Sequence, residues 1–175
     1  MTTPKLITER LILREIHADD MDKIFDCWMQ DEDVSRYMYW KASNDISDTK
    51  EFVEFELDNV ENEKWNRWII LLKATSELIG TCLIYFNEEE KDWDISYNLG
   101  KSFWGKGYAS EAMNRVMQYA KEVLKIKECI AIHAIENSAS EHIIQKLGFR
   151  YEKDVPYKCN GGDILTTGRS YRYTV

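Results

Sequence analysis

The sequence predicts an α+β protein built on a mixed, mostly antiparallel sheet with helices packed on it. Two observations carry this reading. Short alternating apolar runs recur through the chain, and the order of elements is strands, then strand–helix–strand, then helix–strand–strand. The middle unit brings one parallel pair into a sheet that hairpins otherwise keep antiparallel.

The elements follow in order. Residues 6–16 alternate through Leu11, Leu13 and Ile16 with charged neighbours and predict a first strand. Asp19 and Asp20 open a helix carrying Met21, Ile24, Phe25 and Trp28. A polar stretch, 41–48, leads into a second helix over 49–63, with Phe52, Val53, Phe55 and Leu57 as its apolar residues. Strands are expected at 67–73 and 78–86, joined by a turn at Thr75, Ser76 and Glu77. After an acidic loop, 87–92, the strand 93–99 alternates Trp93, Ile95, Tyr97 and Leu99 against Asp94, Ser96 and Asn98. The clearest helix carries Ala109, Ala112, Met113, Val116, Met117, Ala120, Val123 and Leu124 at helical spacing. A strand at 128–135 and a helix at 137–147 follow, the helix stopping at Gly148, a left-handed cap. Strands 149–155 and 165–174 complete the sheet.

Length and charge limit the function. A chain of 175 residues suits one domain, 1–175, with a full core. Its 23 basic and 31 acidic side chains give a net charge of −8, which argues against nucleic acid as ligand and suits a cationic substrate such as an amine. Cys27, Cys82, Cys129 and Cys159 are widely spaced, with no C-x-x-C pair. Cys82 and Cys129 sit in apolar runs and read as small core residues, as in a reducing cytosol. The opening residues lack an apolar leader core, and no run is long enough to span a bilayer. A cytoplasmic protein without a membrane partner is expected, as a monomer or homodimer.

The strongest local signal is Asn98-Leu99-Gly100-Lys101-Ser102-Phe103-Trp104-Gly105-Lys106-Gly107-Tyr108-Ala109-Ser110. A strand ends, a glycine-bearing loop follows, and a long helix begins. The first helical turn has unpaired N–H groups, and the macrodipole adds partial positive charge there. That is an anion site. Gly105 and Gly107 let a phosphate approach the backbone, and Ala109 and Ser110 keep the entrance small. Glycines placed for turn geometry alone would give the same local pattern. No Walker loop is present, and Ser110 stands where a dinucleotide fingerprint needs its third glycine or alanine.

A second signal runs from Asn137 to Phe149. Ser138 and Glu141 have the spacing of a capping box. Asn137 sits where a strand leaves the sheet, so its amide could bridge a ligand, and Ser140 could turn its hydroxyl toward the preceding strand end. Capping alone is the competing reading for both. His133 reads as a packed histidine, His17 and His142 as surface residues. Without clustered His or Cys, no metal is expected.

Together these residues resemble the GNAT superfamily of acetyl-CoA-dependent N-acetyltransferases, in the branch of the ribosomal-protein N-acetyltransferases. Four blocks carry the likeness in order: Thr8-Glu9-Arg10-Leu11-Ile12-Leu13-Arg14, Glu77-Leu78-Ile79-Gly80, Trp104-Gly105-Lys106-Gly107-Tyr108-Ala109, and Asn137-x-x-Ser140 through Lys146-Leu147-Gly148-Phe149. Trp104 stands where other branches carry Gln or Arg.

The resemblance implies α/β/α layers and a V-shaped splay between two central parallel strands, 93–99 and 128–135. It implies acetyl-CoA as cosubstrate, its diphosphate on Trp104, Gly105, Lys106, Gly107, Tyr108, Ala109 and Ser110. Its pantetheine arm would lie along Tyr97, Asn98 and Leu99, with Asn137 near it. The acceptor would be an amine, on a small molecule or a protein N-terminus. Asp94 stands where the family often places an acidic residue, which makes it the candidate general base. The tyrosine that many members use as general acid is replaced by Ile144. Ser140 is the substitute by position, with Tyr97 and water as alternatives. That departure leaves open a second class of protein, an acyl-CoA-binding module without catalysis. Trp28, Tyr37, Tyr39 and Trp40 could line the acceptor side or belong to the core. Acceptor choice is expected to lie in 19–63 and 153–163.

Overall fold

The computed structural model describes residues 3–175. Eight strands form one sheet: β1 (Leu6–Ile7), β2 (Leu11–Arg14), β3 (Trp65–Leu72), β4 (Leu78–Asn87), β5 (Asp92–Leu99), β6 (Glu128–Ala134), β7 (Arg150–Cys159) and β8 (Ile164–Thr174). Their order is β1-β2-β3-β4-β5-β6-β8-β7. Among the described residues only β5 and β6 pair in parallel. The helices are α1 (Met21–Ile24), α2 (Glu32–Ser35), α3 (Ile46–Asp58), α4 (Tyr108–Glu122) and α5 (Ser138–Lys146). Helix α4 is the crossover between β5 and β6, the usual means of setting two strands in parallel. Among the described residues no helix is long and apolar enough to cross a membrane.

The period-two pattern sorts side chains between two cores. Trp68 and Ile70 of β3 join Ile79, Ile84, Ile95 and Leu99 under α4 and α5, with Ala112, Met113 and Val116 fully buried. Ile69, between them, points the other way and packs with Ile24, Trp28, Val34 and Val53 from the N-terminal helices. Helices therefore cover both faces. Cys82, Cys129 and Cys159 are buried free thiols, and Cys27 is half-buried. Position 80 of β4 requires glycine, because a Cβ there would lie 2.3 Å from the Asn98 carbonyl oxygen.

Several predicted boundaries move. The single strand expected over 6–16 is a hairpin, because the Thr8 hydroxyl accepts from the Leu11 N–H at 2.9 Å and breaks the ladder. The second helix spans Ile46–Asp58 rather than 49–63: Asp45, in the polar stretch before it, caps it by accepting from the Ser47 N–H. Met21–Ile24 continues into a π-helical turn, Phe25–Met29, and the short α2 was not foreseen. Strand β7 runs on to Cys159 through Pro156, which an edge strand tolerates. Much of 153–163 is therefore strand, closed by the 3-10 turn Asn160–Gly162.

Candidate acetyl-transfer site

The site starts where the sheet comes apart. Strands β5 and β6 share one register pair, Asp94 with Ile130. Beyond it the pairing stops, and among the described residues no strand pairs with the edge of β5 from Ile95 to Leu99 on that side. A cavity of about 790 Å³ fills the opening and reaches the start of α4. An unpaired strand edge offers N–H and C=O groups to any extended amide chain laid along it.

The loop before α4 has the backbone that the glycines predict. Gly105 has φ +73°, and Gly107, at the N-cap of α4, has φ +79°. Both lie in the left-handed region that glycine enters without strain. A Cβ on Gly105 would meet nothing within 4 Å, so the loop faces open space. Trp104, Gly105, Gly107, Tyr108, Ala109 and Ser110 line the cavity. Lys106 does not; its ammonium lies 5.5 Å from the Phe103 ring centre, and its carbonyl accepts from Arg10 at 3.0 Å. The Trp104 indole donates to the Leu99 carbonyl at 2.8 Å, so that carbonyl of the expected pairing edge is already engaged.

A clamp that the sequence did not disclose holds this loop. Glu111, one turn into α4, accepts from the Thr8 hydroxyl at 2.6 Å and from the Arg10 N–H at 2.8 Å, and pairs with Arg10 Nε at 2.6 Å. The Arg10 guanidinium also lies over the Tyr108 ring at 4.5 Å. Burial opposes the Glu111 charge, but the bonds from Thr8 and Arg10 outweigh it and lower its pKa. Only the place of Thr8 and Arg10 in the opening block hinted at a role.

Asp94 is 3% exposed. Its carboxylate accepts from the Tyr85 hydroxyl at 3.1 Å, the Asn87 amide at 3.2 Å and the Ile95 N–H at 2.7 Å. Burial outweighs these bonds and raises its pKa to about 6. On the opposite face of β5, the Tyr97 and Ser140 hydroxyls are 2.9 Å apart. Burial pushes the Tyr97 phenol up to about 12, so it stays protonated at neutral pH. Two residues expected as alternatives thus form one hydrogen-bonded pair. Ile144, at the position of the family tyrosine, is a buried core residue.

The cap of α5 differs from the expectation. Asn137 is the N-cap, and its side-chain oxygen accepts from the Ser140 N–H at 3.1 Å. Ser138 begins the helix, and the predicted capping box with Glu141 does not form. Glu141 instead binds Arg169 Nη1 at 2.9 Å and the Tyr171 hydroxyl at 2.7 Å. The charged and phenolic donors of β8 outcompete a backbone N–H. The Asn98 amide nitrogen is buried without a protein partner. His133 is packed beside Tyr171, its Nδ1 2.7 Å from the Ala134 carbonyl, and burial lowers its pKa. Tyr37 and Tyr39 line the cavity, whereas Trp28 is 1% exposed and mainly core.

Comparison with known proteins shows the family. The acetyltransferase (GNAT) domain profile matches residues 10–150. The chain belongs to the GNAT acetyltransferases. Among GNAT relatives, an uncharacterized N-acetyltransferase, p20, of Bacillus licheniformis is 33% identical over 148 residues, covering 84% of this chain and 83% of its own length. The same GNAT fold recurs in the microcin C7 self-immunity acetyltransferase MccE, solved with acetyl-CoA and AMP (TM-score 0.84, 22% identity, 96% of this chain and 94% of that one). It recurs in RimL, a ribosomal L7/L12 α-N-protein acetyltransferase solved with coenzyme A (TM-score 0.83, 16% identity, 100% and 98%). The chain is thus an acetyltransferase of GNAT fold.

Proposed function

We propose that this enzyme transfers an acetyl group from acetyl-CoA to a primary amine, with Asp94 as general base and the Tyr97–Ser140 pair as general acid. The observation that carries it is one continuous cavity, running from the first turn of α4 along the unpaired β5 edge to Asp94. Acetyl-CoA supplies the activated thioester. The N–H groups at the start of α4 hold its diphosphate, and the β5 edge holds the extended arm.

The proton balance follows from the two faces of β5. An amine is protonated at neutral pH and nucleophilic only after losing a proton. Asp94, raised to about 6 by burial, is ionised at pH 7 and basic enough to take it. The amine nitrogen bonds the acyl carbon, and the carbon–sulfur bond breaks. The sulfur leaves as thiolate, which needs little help, since thiols have a pKa of about 8.5. The Tyr97–Ser140 pair donates the proton that restores the thiol, and the second proton, shed by the nitrogen as the amide forms, returns to the pair. The acceptor is a small-molecule amine or a protein N-terminus.

Thiol release with a panel of amines tests the reading. Wild-type protein should release thiol with at least one amine. Ser140→Ala should lower kcat by roughly tenfold or more while KM for acetyl-CoA holds. Tight acetyl-CoA binding without thiol release from any amine would defeat the reading. Unchanged turnover in Ser140→Ala would remove that residue from it.

A further inference from the structure

A second cavity, of about 510 Å³, lies on the α3 side of the sheet. It meets the first at Met38, Tyr39, Ser96 and Asn98, which line both. Tyr85, in its wall, donates to Asp94. A molecule resting in this cavity would thus present one end at the proposed base. The Asn98 amide nitrogen, buried and unpartnered, sits at the junction and offers a donor to whatever passes through.

The walls define the occupant. Trp40, Phe52, Phe55 and Trp65 line them, with the Phe55 and Trp65 rings edge to face at 5.5 Å and Trp65 against Tyr85 at 5.1 Å. The charges are unequal. Arg67 is cancelled by buried Glu56, their Nε and Oε1 2.6 Å apart, and Glu56 also accepts from the Trp65 indole at 2.8 Å. Lys41 is paired with Asp163 at 2.5 Å. Asp48 and Glu51, exposed at the rim, have no ion pair among the described residues. The cavity therefore favours cations, suits flat apolar groups, and among the described residues lining it has no unpaired cation for a carboxylate.

We infer that this second cavity is the acceptor pocket and that it selects primary amines with an aromatic body and no carboxylate, the arylalkylamine class. The inference rests on the proposed acetyl transfer and narrows its acceptor to a small molecule. Such an amine packs its ring against the Phe55–Trp65 pair, has the carboxylates of Asp48 and Glu51 near its charge, and extends its nitrogen past Tyr39 toward Asp94.

The test compares phenethylamine, phenylalanine, spermidine and trialanine as acceptors with acetyl-CoA, together with calorimetric binding of phenethylamine. Phenethylamine should lead the others in kcat/KM by roughly tenfold or more, phenylalanine losing through its carboxylate and spermidine through its missing ring. Phe55→Ala and Glu51→Lys, both at exposed positions, should each raise KM for phenethylamine roughly fivefold and leave acetyl-CoA affinity unchanged. Preference for spermidine, trialanine or phenylalanine overturns the inference and leaves acetyl transfer standing. So does failure of phenethylamine either to bind or to react. Absence of acetyl-CoA binding defeats the acetyl-transfer reading instead. Phenethylamine titration of the wild type and of Phe55→Ala then still decides the pocket: loss of binding in the variant supports it, and equal or absent binding overturns it.

Discussion

In the proposed mechanism Asp94 serves chemistry at the expense of the fold. Its pKa of about 6 lies above the ordinary aspartate value of 3.8, with burial as the main cause. Between those two values the folded protein holds a proton that the unfolded chain has released. Stability therefore falls as pH rises through this window, by roughly 3 kcal/mol if the whole shift is felt. Asp94→Asn keeps the side-chain shape and removes the charge, giving up one of the two acceptor oxygens. It should raise Tm at pH 7 and flatten the dependence of Tm on pH between about 4 and 6, while lowering kcat/KM by about 10²–10⁴. Thermal melts across pH check the first part. A lower Tm in Asp94→Asn would show that the carboxylate stabilises the fold and does not strain it.

The loop and α4 act as one element, positioned from a distance by the first hairpin. Glu111 takes two hydrogen bonds and an ion pair from residues about a hundred positions earlier in the chain. The ion pair by itself adds little, since Arg10 is 44% exposed. The bonds from Thr8 and the Arg10 N–H matter more, because they fix where the first turn of α4 points. Glu111→Ala should cost about 1–2 kcal/mol in denaturant unfolding and weaken acetyl-CoA binding, whereas Arg10→Ala should cost less. Equal losses would place the role in Arg10. Little of the clamp was legible beforehand, whereas the glycine loop, the 93–99 alternation and the α4 periodicity are local patterns whose elements formed close to the predicted bounds, α4 stopping at Glu122, short of Val123 and Leu124. The Thr8–Glu111 clamp and the Tyr97–Ser140 pair join residues distant in sequence, and no spacing rule reports such contacts. The cap at Asn137 shows the same limit. The S-x-x-E pattern was present, but Glu141 found stronger partners on β8, a strand that comes later in the chain.

Seen as one object, the protein is a sheet opened at a single place and covered by helices on both faces. Two cavities flank the opening and meet at Ser96 and Asn98 of β5. The polar face of that strand, read from alternation alone, is the face that carries both Asp94 and the junction. What the alternation could not supply was the splay itself, which depends on β6 arriving after a fifteen-residue helix and pairing at one position only. The account depends on the start of α4 being the seat of the acetyl donor. Calorimetric titration of acetyl-CoA into wild type and Gly107→Trp, with circular dichroism to verify that the variant is folded, tests that most directly. Binding to the wild type and its loss in the folded variant is the predicted result; equal affinity in both would contradict it.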